Sequence, residues 1–234
     1  MKVAAQAAPL RQEVVRLLRQ DILDQRLLPG DRLTESLLCS RYEVSRTVVR
    51  EALRQLETEN LITMRPNRGP IVAVLDEHEI RNIYEVRRSL EGLAGELFAL
   101  HAPDSVAAEL LAHMAEMEDR LPTVDLPVRE EMKERFYDLL LAGAGNPVLT
   151  STLAGIHARI GIFRHYAFQD GRRVELSLQE LRCITIAAAM DRDPSAARRA
   201  CEEHIRRAAL LAVDEHTRRQ QRSRAAGPEA VVEN

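Results

Sequence analysis

The sequence predicts a mainly α fold in two parts: three short helices with a two-stranded hairpin, followed by an all-α helical bundle. Composition is the first observation, because the 234 residues are rich in Ala, Leu, Arg and Glu and contain eight aromatic residues without tryptophan. Apolar spacing is the second, since it is helical almost throughout and is interrupted by one pair of β-prone runs. Charge is the third: residues 1–75 carry a net charge of +3 and residues 76–234 a net charge of −6.

The first part of the chain contains three predicted helices. Apolar residues from Leu10 to Ile22 recur at helical spacing, and Pro29-Gly30 then imposes a turn. Thr34 is placed to cap a second helix, and Ser45 is placed to cap a third one after a short break. The predicted arrangement is helix, tight turn, helix.

Residues 61–74 predict a β-hairpin, because LITM and IVAV are β-prone and enclose the turn-forming segment RPNRGP. Three helices followed by such a hairpin are the parts of a winged helix-turn-helix, whose second turn-linked helix lies in the DNA major groove. We therefore predict that residues 1–75 form a winged helix-turn-helix DNA-binding domain.

The chain beyond Leu75 predicts a second domain, an all-helical bundle of about six helices over residues 76–223. Asp76 with Glu79 is a capping signal for a long first helix. Further helix starts are predicted at Pro103, Asn146-Pro147, Ser177 with Glu180, and Asp193-Pro194. Residues 168–173 are expected to form a loop, and the polar tail 224–234 is expected to be disordered.

Several classes of protein are excluded by the same sequence. No run of about 18 apolar residues exists, so we expect no membrane partner, and the N-terminus lacks the apolar core of a secretory signal. Cys39, Cys183 and Cys201 are widely spaced, which predicts free thiols used as small core residues in the cytoplasm. The sequence contains no nucleophile with a paired histidine, no phosphate loop and no close carboxylate pair, so we do not expect an enzyme.

The predicted third helix carries the strongest functional signal. Its N-terminus reads Ser45-Arg46-Thr47, and Arg50 follows Arg46 by four residues on the same helix face. An arginine fork presents paired donors that match guanine O6 and N7 or phosphate oxygens, and the two hydroxyls are suited to backbone phosphates. These residues are predicted to contact DNA.

The predicted hairpin tip supplies a second group of candidate DNA contacts. Arg65 and Arg68 are basic, and Gly69 permits a close backbone approach to a sugar-phosphate strand. Each arginine alone could be a solvated surface charge. The set favours DNA binding, because basic residues concentrate at the two places where a winged helix touches DNA.

The stretch PGDRLTESLLCSRYEVSRTVVREALRQLETENLI, followed by RPNRGPIV, resembles the DNA-binding domain of the GntR family of bacterial transcription regulators over about residues 9–75. The family signature runs PGxRLxE, then VSRTPVREALxxLexxGL, then RGxxV. The sequence departs from it at Val48, where Pro is usual, and at Glu43 and Asn60, where Gly in a left-handed turn is usual. The resemblance implies DNA contact by Arg32, Ser45, Arg46, Thr47, Arg50 and Gly69.

The second domain resembles the all-helical effector domain called FCD, of the FadR-like subgroup, through IYEVRRSLEGLAGELFAL, FYDLLLAGAGNPVL and ACEEHI. The resemblance covers about residues 76–220 and implies a dimer with a central cavity for a small acid. Many FCD domains hold a divalent metal with an Asp-x-x-x-His pair and two histidines 22 residues apart. The matching positions here are Lys133, Tyr137, Arg182 and His204. Because charged lysine and arginine do not ligate cations and tyrosine is a poor ligand, we expect no metal cofactor.

Two interpretations of this replaced site stay open. Either large side chains fill the cavity and the domain only dimerises, or Arg182 with Lys133 replaces the cation and binds the carboxylate of an anionic effector. Arg87, Asn146 and Arg159 are further polar candidates for effector binding. Ordinary salt bridges with Glu91 or Asp138 would explain each of them as readily. The predicted effector-binding residues are Arg87, Lys133, Tyr137, Asn146, Arg159, Arg182 and His204.

The sequence as a whole predicts a cytoplasmic bacterial transcription regulator, in the first instance a repressor. A homodimer would bind a short palindromic double-stranded DNA operator, because each winged helix covers one half-site. A small anionic metabolite, predicted to be a carboxylate, would bind without metal and shift DNA affinity. The alternatives are a DNA-binding dimerisation protein with a filled, effector-less second domain, a metal-dependent effector binder, or an enzyme with a DNA-binding head.

Overall fold

The computed structural model describes residues 4–24, 26–167 and 171–225. Within these ranges, the side chains of residues 4–8, 23, 161–172, 219–220 and 222–225 are not described. The fold is mainly α with one small antiparallel sheet, as the sequence predicts. In chain order the elements are α1 (Ala4–Leu23), α2 (Glu35–Tyr42), α3 (Arg46–Thr58), β1 (Ile62–Arg65), β2 (Gly69–Val72), α4 (Glu77–His101), α5 (Asp104–Arg120), α6 (Leu126–Ala144), α7 (Pro147–Ala167), α8 (Gly171–Thr185), a π-helical turn (Ile186–Met190) and α9 (Pro194–Ala225).

The contacts divide the chain into two units. One comprises residues up to Leu75 together with residues 157–162, and the other comprises residues 76–156 and 163 onward. Each unit has its own apolar core. None of the helices in the described ranges is long and apolar enough to span a lipid bilayer.

The helix-turn-helix begins at the predicted caps. The Thr34 hydroxyl accepts a hydrogen bond from the Leu37 N–H at 3.3 Å, and the Ser45 hydroxyl accepts one from the Val48 N–H at 3.4 Å. The apolar face of α3 is buried against α1. The residues of α3 that form this face are Val48, Val49, Ala52, Leu53 and Leu56.

The wing is a two-stranded antiparallel hairpin in which Arg65 of β1 lies opposite Gly69 of β2. Its tip turns through left-handed backbone at Asn67 (φ 62°) and Gly69 (φ 76°). Glu43 (φ 53°) and Asn60 (φ 58°) are also left-handed, as expected of two positions where glycine is usual. The backbone therefore keeps both turns although neither residue is glycine.

The second unit is built on α4, whose start is the predicted capping box. The Asp76 carboxylate accepts from the Glu79 N–H at 2.8 Å, and the Glu79 carboxylate accepts from the Asp76 N–H at 3.0 Å. Among the described residues of this region, the six α-helices α4 to α9 match the number predicted. Helices α4 and α9 approach closely, because Gly92 and Gly95 face α9 without side chains of their own.

Four local predictions are corrected by the structure. Ser177 does not begin a helix but lies inside α8, so it is not a cap for Glu180. Residues 171–173 of the predicted loop are helical, while 168–170 lie outside the described residues. Cys201 is a buried core thiol as predicted, whereas Cys183 is exposed. Residues 224–225 of the predicted tail end α9, and 226–234 lie outside the described residues.

Candidate nucleic-acid interface and effector site

The N-terminus of α3 presents one polar, exposed surface. Ser45, Arg46, Thr47 and Arg50 are all exposed, while the apolar residues between them point into the core of the first unit. The spacing of four residues places the two arginines on the same face of the helix, one turn apart. The structure thus brings together the four residues of α3 that the sequence predicts as DNA contacts.

A carboxylate lies beside these arginines. The Arg50 Nε donates to an Oε1 oxygen of Glu35, the first residue of α2, at 2.5 Å. The hydrogen bond from Arg50 holds the pKa of Glu35 below its ordinary value against the opposing effect of desolvation, and the charges of Arg50 and Arg46 act in the same direction. The sequence analysis did not identify Glu35 as part of this surface.

The remaining candidate DNA contacts lie at the wing. Arg65 and Arg68 are exposed at its tip, where the Arg68 N–H donates to the Arg65 carbonyl at 3.1 Å. A Cβ added at Gly69 would meet nothing within 4 Å, so the positive φ rather than crowding favours glycine there. Arg32 is exposed and its backbone bridges to Ile71 of β2, which places it alongside the wing. Contact of these residues with DNA stays a prediction.

The second unit contains a connected set of polar side chains that are less than a tenth exposed, which we call the buried polar cluster. Helices α4, α6, α8 and α9 all contribute to it. Its members are Arg87, Glu91, Lys133, Tyr137, Arg173, Ser177, Glu180 and His204. Buried polar groups of this kind require partners inside the protein.

A chain of hydrogen bonds runs through the cluster. Arg87 donates through Nε to Glu91 at 2.6 Å and through Nη2 to the Tyr137 hydroxyl at 3.2 Å. The Tyr137 hydroxyl lies 2.9 Å from Nε2 of His204, whose Nδ1 lies 2.5 Å from Oε2 of Glu180. Four helices are therefore linked through side chains that are far apart in sequence.

Two further contacts complete the cluster. Arg173 forms a two-pronged ion pair with Glu180, with Nη1 to Oε1 at 2.9 Å and Nη2 to Oε2 at 3.0 Å. The Lys133 ammonium donates to the Ser177 hydroxyl at 3.2 Å. Within the described part of the chain, the buried Arg173 Nε has no hydrogen-bond partner.

Protonation in the cluster follows from burial and pairing. Burial lowers the pKa of His204 to about 4, and the positive charge of Lys133 adds to this effect although Glu180 opposes it. Burial alone would raise the pKa of Glu180, but hydrogen bonds from His204 and Arg173 outweigh it and lower that pKa to about 2. At neutral pH, His204 is therefore a neutral imidazole that donates from Nδ1 to Glu180 and accepts at Nε2 from Tyr137.

The prediction that Arg182 lies in an enclosed site is wrong. Its side chain is 64% exposed and lies 3.6 Å from a carboxylate oxygen of Glu118. The neighbouring residue Leu181 is fully buried and takes the inward position instead.

A π-helical turn lies between α8 and α9, inside the segment over which the 22 residues were counted. Its backbone bond runs from the Asp191 N–H to the Ile186 carbonyl, five residues back, at 2.8 Å. A π turn accommodates one more residue than an α turn. Counting 22 residues back from His204 reaches the exposed Arg182, whereas Leu181 beside it is buried.

Two other predicted effector residues also lie elsewhere. Asn146 caps α7, with its Oδ1 accepting from the N–H groups of Val148 and Leu149, both at 3.1 Å. Arg159 is half-buried on α7, in the segment 157–162 that groups with the first unit. The structure brings together Arg87, Lys133, Tyr137 and His204, four of the seven predicted residues.

The cluster members that sequence reasoning missed are Glu91 as a site residue, Arg173, Ser177 and Glu180. Glu91 was predicted only as one possible salt-bridge partner of the polar candidates, and it pairs with Arg87. Arg173, Ser177 and Glu180 stand at i, i+4 and i+7 on one face of α8. That polar stripe could have been found if the helix had been predicted to start at residue 171 instead of 177.

The cluster does not fit the divalent metal of related domains. One of the matching positions holds the ammonium of Lys133, another holds the exposed Arg182, and both ring nitrogens of His204 are engaged. In the described ranges, no group of three or more His, Cys, Asp or Glu side chains is disposed to hold a metal ion.

A surface cleft of about 510 Å³ lies outside the cluster, against α5 and α6. Ion pairs of Arg120 with Glu116 and of Arg135 with Glu109 line it, and the His113 Nε2 donates to the Met132 carbonyl at 2.7 Å. The seven predicted effector residues are not among its lining residues.

Comparison with known proteins agrees with this architecture. The profile described as "Bacterial regulatory proteins, gntR family" matches residues 10–72, and that of the "FCD domain" matches residues 82–207. The HTH-type transcriptional repressor RspR of Escherichia coli (strain K12) is 27% identical over 84% of this chain and 86% of its own length. The Nta operon transcriptional regulator of Aminobacter aminovorans is 32% identical over 62% of this chain and 68% of its own length.

The fold also matches a solved structure. The E. coli protein McbR/YncC superposes with a TM-score of 0.75 at 20% identity, over 88% of this chain and 98% of that one. An exposed basic helix with a wing, an all-helical second unit and both family matches lead to one conclusion. The chain belongs to the GntR family of bacterial regulatory proteins, with an FCD domain after its DNA-binding head, and is a transcriptional regulator.

Proposed function

We propose that this protein is a cytoplasmic repressor that binds a short palindromic operator as a homodimer. The observation that carries the proposal is the exposed N-terminus of α3, where Ser45, Arg46, Thr47 and Arg50 form one surface. One such surface covers one half-site, and a two-fold dimer covers two. The repressor name of the related RspR supports the direction of regulation.

The buried polar cluster is the proposed effector site. Arg87, Lys133 and Arg173 supply positive charge inside the helical unit. The Arg173 Nε, for which the described residues provide no hydrogen-bond acceptor, is a donor that a carboxylate would satisfy. A small carboxylate entering the cluster would exchange with Glu91 or Glu180 as the acceptor for these cations. Binding would thus rearrange contacts among α4, α6, α8 and α9, which is how a ligand could favour one arrangement of the domain.

No divalent metal takes part in the proposed binding. The Lys133 ammonium supplies a fixed positive charge at a position where related domains place a ligand, and an ammonium binds a carboxylate directly. Chelator is therefore expected to leave effector binding unchanged.

One observation favours a second candidate function. Each carboxylate of the cluster already pairs with a cation of the same cluster, Glu91 with Arg87 and Glu180 with Arg173. A cluster whose carboxylates are both paired in this way could serve stability alone. The domain would then dimerise without an effector.

The DNA part of the proposal is tested by gel shift with the DNA upstream of the gene and with a scrambled duplex of equal length. We expect selective binding that weakens steeply with salt, because phosphate contacts release counterions. Lack of binding to any upstream or neighbouring promoter DNA at low salt would contradict the proposal.

The effector part is tested by calorimetry with a panel of carboxylate metabolites, with and without chelator. Arg173→Gln should abolish the binding of a carboxylate that wild-type protein binds, whereas the exposed Arg182→Gln should not change it. Binding that requires added metal would contradict the metal-free site. If no carboxylate binds in calorimetry and none raises the melting temperature, the effector-less alternative is favoured.

A further inference from the structure

The contact between Arg50 and Glu35 joins the two helices of the helix-turn-helix at the surface proposed to meet DNA. Glu35 begins α2 directly after the Thr34 cap, and Arg50 lies one turn beyond the start of α3. The Arg50 side chain is 60% exposed and that of Glu35 is 33% exposed, so the carboxylate lies deeper than the guanidinium that it holds. An acidic residue at such a surface is unexpected, because DNA phosphates repel it.

The contact with Glu35 engages one edge of the Arg50 guanidinium and leaves the other edge available. Glu35 accepts from Nε, the inner nitrogen of the guanidinium, at 2.5 Å. The Nη1 and Nη2 groups at the outer edge remain to form the parallel pair of donors that matches guanine O6 and N7. A long arginine side chain left to itself samples many rotamers and pairs with whichever phosphate is nearest.

We propose that Glu35 is a positioning residue that determines sequence specificity: it holds Arg50 so that the outer edge of its guanidinium reads a base instead of a phosphate. The inference rests on the proposed function, in which the N-terminus of α3 enters the major groove. It assigns to an acidic side chain a favourable role in operator binding.

Two simpler roles of Glu35 predict other results. As a plain negative charge, Glu35 would weaken binding to all DNA, so its removal would strengthen binding to every duplex. As a brace between α2 and α3, or as a charge at the N-terminus of α2, it would affect folding and lower affinity for all duplexes alike. Only a positioning role changes the ratio between specific and non-specific binding.

The experiment uses the full chain and a duplex selected by the wild-type protein from a randomised library. Fluorescence anisotropy measures Kd for the selected duplex and for a scrambled duplex, for wild type, Glu35→Ala and Glu35→Gln. We expect Glu35→Ala to lose tenfold or more on the selected duplex while binding the scrambled one equally or more tightly. Glu35→Gln retains an acceptor oxygen and should lose less.

The controls separate the possible failures. Glu57→Gln removes an exposed charge elsewhere on α3 and should leave the specificity ratio unchanged. In an Arg50→Ala background, Glu35→Ala should cause no further loss of specificity, because the positioned residue is gone. Library selection with Glu35→Ala should lose the guanine preference at one position of each half-site.

The inference would be overturned if both Glu35 variants, with folding verified by circular dichroism, kept or raised the ratio of affinity for the selected duplex to affinity for the scrambled one. That result would leave DNA binding itself intact. A wild-type protein that does not distinguish the selected from the scrambled duplex would instead contradict the proposed function.

Discussion

The hydroxyl of Tyr137 lies 2.9 Å from Nε2 of His204, and this contact joins the Arg87–Glu91 pair on one side of the cluster to the Glu180–Arg173 pair on the other. The hydroxyl accepts a hydrogen bond from Arg87 and donates one to His204, so it acts as both acceptor and donor. The buried ion pairs of the second unit are thereby a single network rather than two separate bridges.

Removal of that hydroxyl should destabilise the protein. In Tyr137→Phe, the Arg87 Nη2 and the His204 Nε2 both lose a buried partner, and we expect unfolding to become easier by about 1–3 kcal/mol. Tyr42→Phe is the comparison, because the Asp21 carboxylate that accepts from Tyr42 keeps Arg26 and Arg41 as partners. Urea unfolding at pH 7 measures both, and a smaller loss for Tyr137→Phe than for Tyr42→Phe would contradict the network.

Stability should fall on acidification because His204 is buried as a neutral imidazole. Between pH 6.5 and pH 4, the unfolded chain binds a proton at His204 and the folded chain does not. The free energy of unfolding therefore decreases as the pH falls, by up to about 1.4 kcal/mol per pH unit from this group. Below pH 4.5, Glu180 acts in the same direction, since its carboxylate stays ionised in the folded state down to about pH 2.

His204→Gln isolates this contribution, because glutamine can donate to Glu180 and accept from Tyr137 but does not titrate. Urea unfolding of wild type and variant between pH 7 and pH 5 should give a shallower pH dependence for the variant. Equal slopes would mean that His204 has the same proton occupancy in the folded and unfolded states.

Close packing of α4 on α9 should tolerate no side chain at Gly95. A Cβ there would lie 2.6 Å from the Cys201 Sγ and 3.0 Å from the Ala197 carbonyl oxygen, which is backbone. We expect Gly95→Ala to destabilise by about 1–3 kcal/mol, because the helices must separate. Gly155→Ala in α7 is the control, since a Cβ at Gly155 meets nothing within 4 Å and should stabilise by about 0.4–1 kcal/mol. Thermal melting measures both variants: the melting temperature should fall for Gly95→Ala and rise for Gly155→Ala.

The left-handed backbone at Glu43 should make glycine favourable there. Glu43 ends α2 at φ 53°, a conformation that disfavours a Cβ by roughly 1 kcal/mol. Glu43→Gly is expected to raise the melting temperature, and Asn60→Gly (φ 58° in wild type) should raise it less because asparagine tolerates this region. A loss of stability in Glu43→Gly would show that its side chain contributes more than its backbone costs.

The two arginine groups should differ in how they bind DNA. Arg68→Ala at the wing tip is expected to weaken binding to all duplexes and to reduce the salt slope by about 1, as for a phosphate contact. Arg46→Ala at the start of α3 should mainly relax sequence preference. Arg81→Ala, which removes an arginine paired with Glu77 on α4, is the control. Identical salt slopes for wild type and Arg68→Ala would remove Arg68 from the interface.

Some features of this protein are determined by the sequence alone because they depend on neighbours three or four residues apart. The Thr34 and Ser45 caps and the Asp76–Glu79 capping box are of this kind. The order of helices, wing and helical bundle follows from the same local signals.

The composition of the buried polar cluster was decided only by the tertiary structure. His204 and Glu180 are 24 residues apart, and His204 and Tyr137 are 67 apart, so no local pattern relates them. Residue spacing predicted an enclosed Arg182, but the packing of α8 exposes that side chain and buries Leu181 beside it. The sequence alone thus determined which elements form, whereas packing of α4, α6, α8 and α9 decided which charges are buried together.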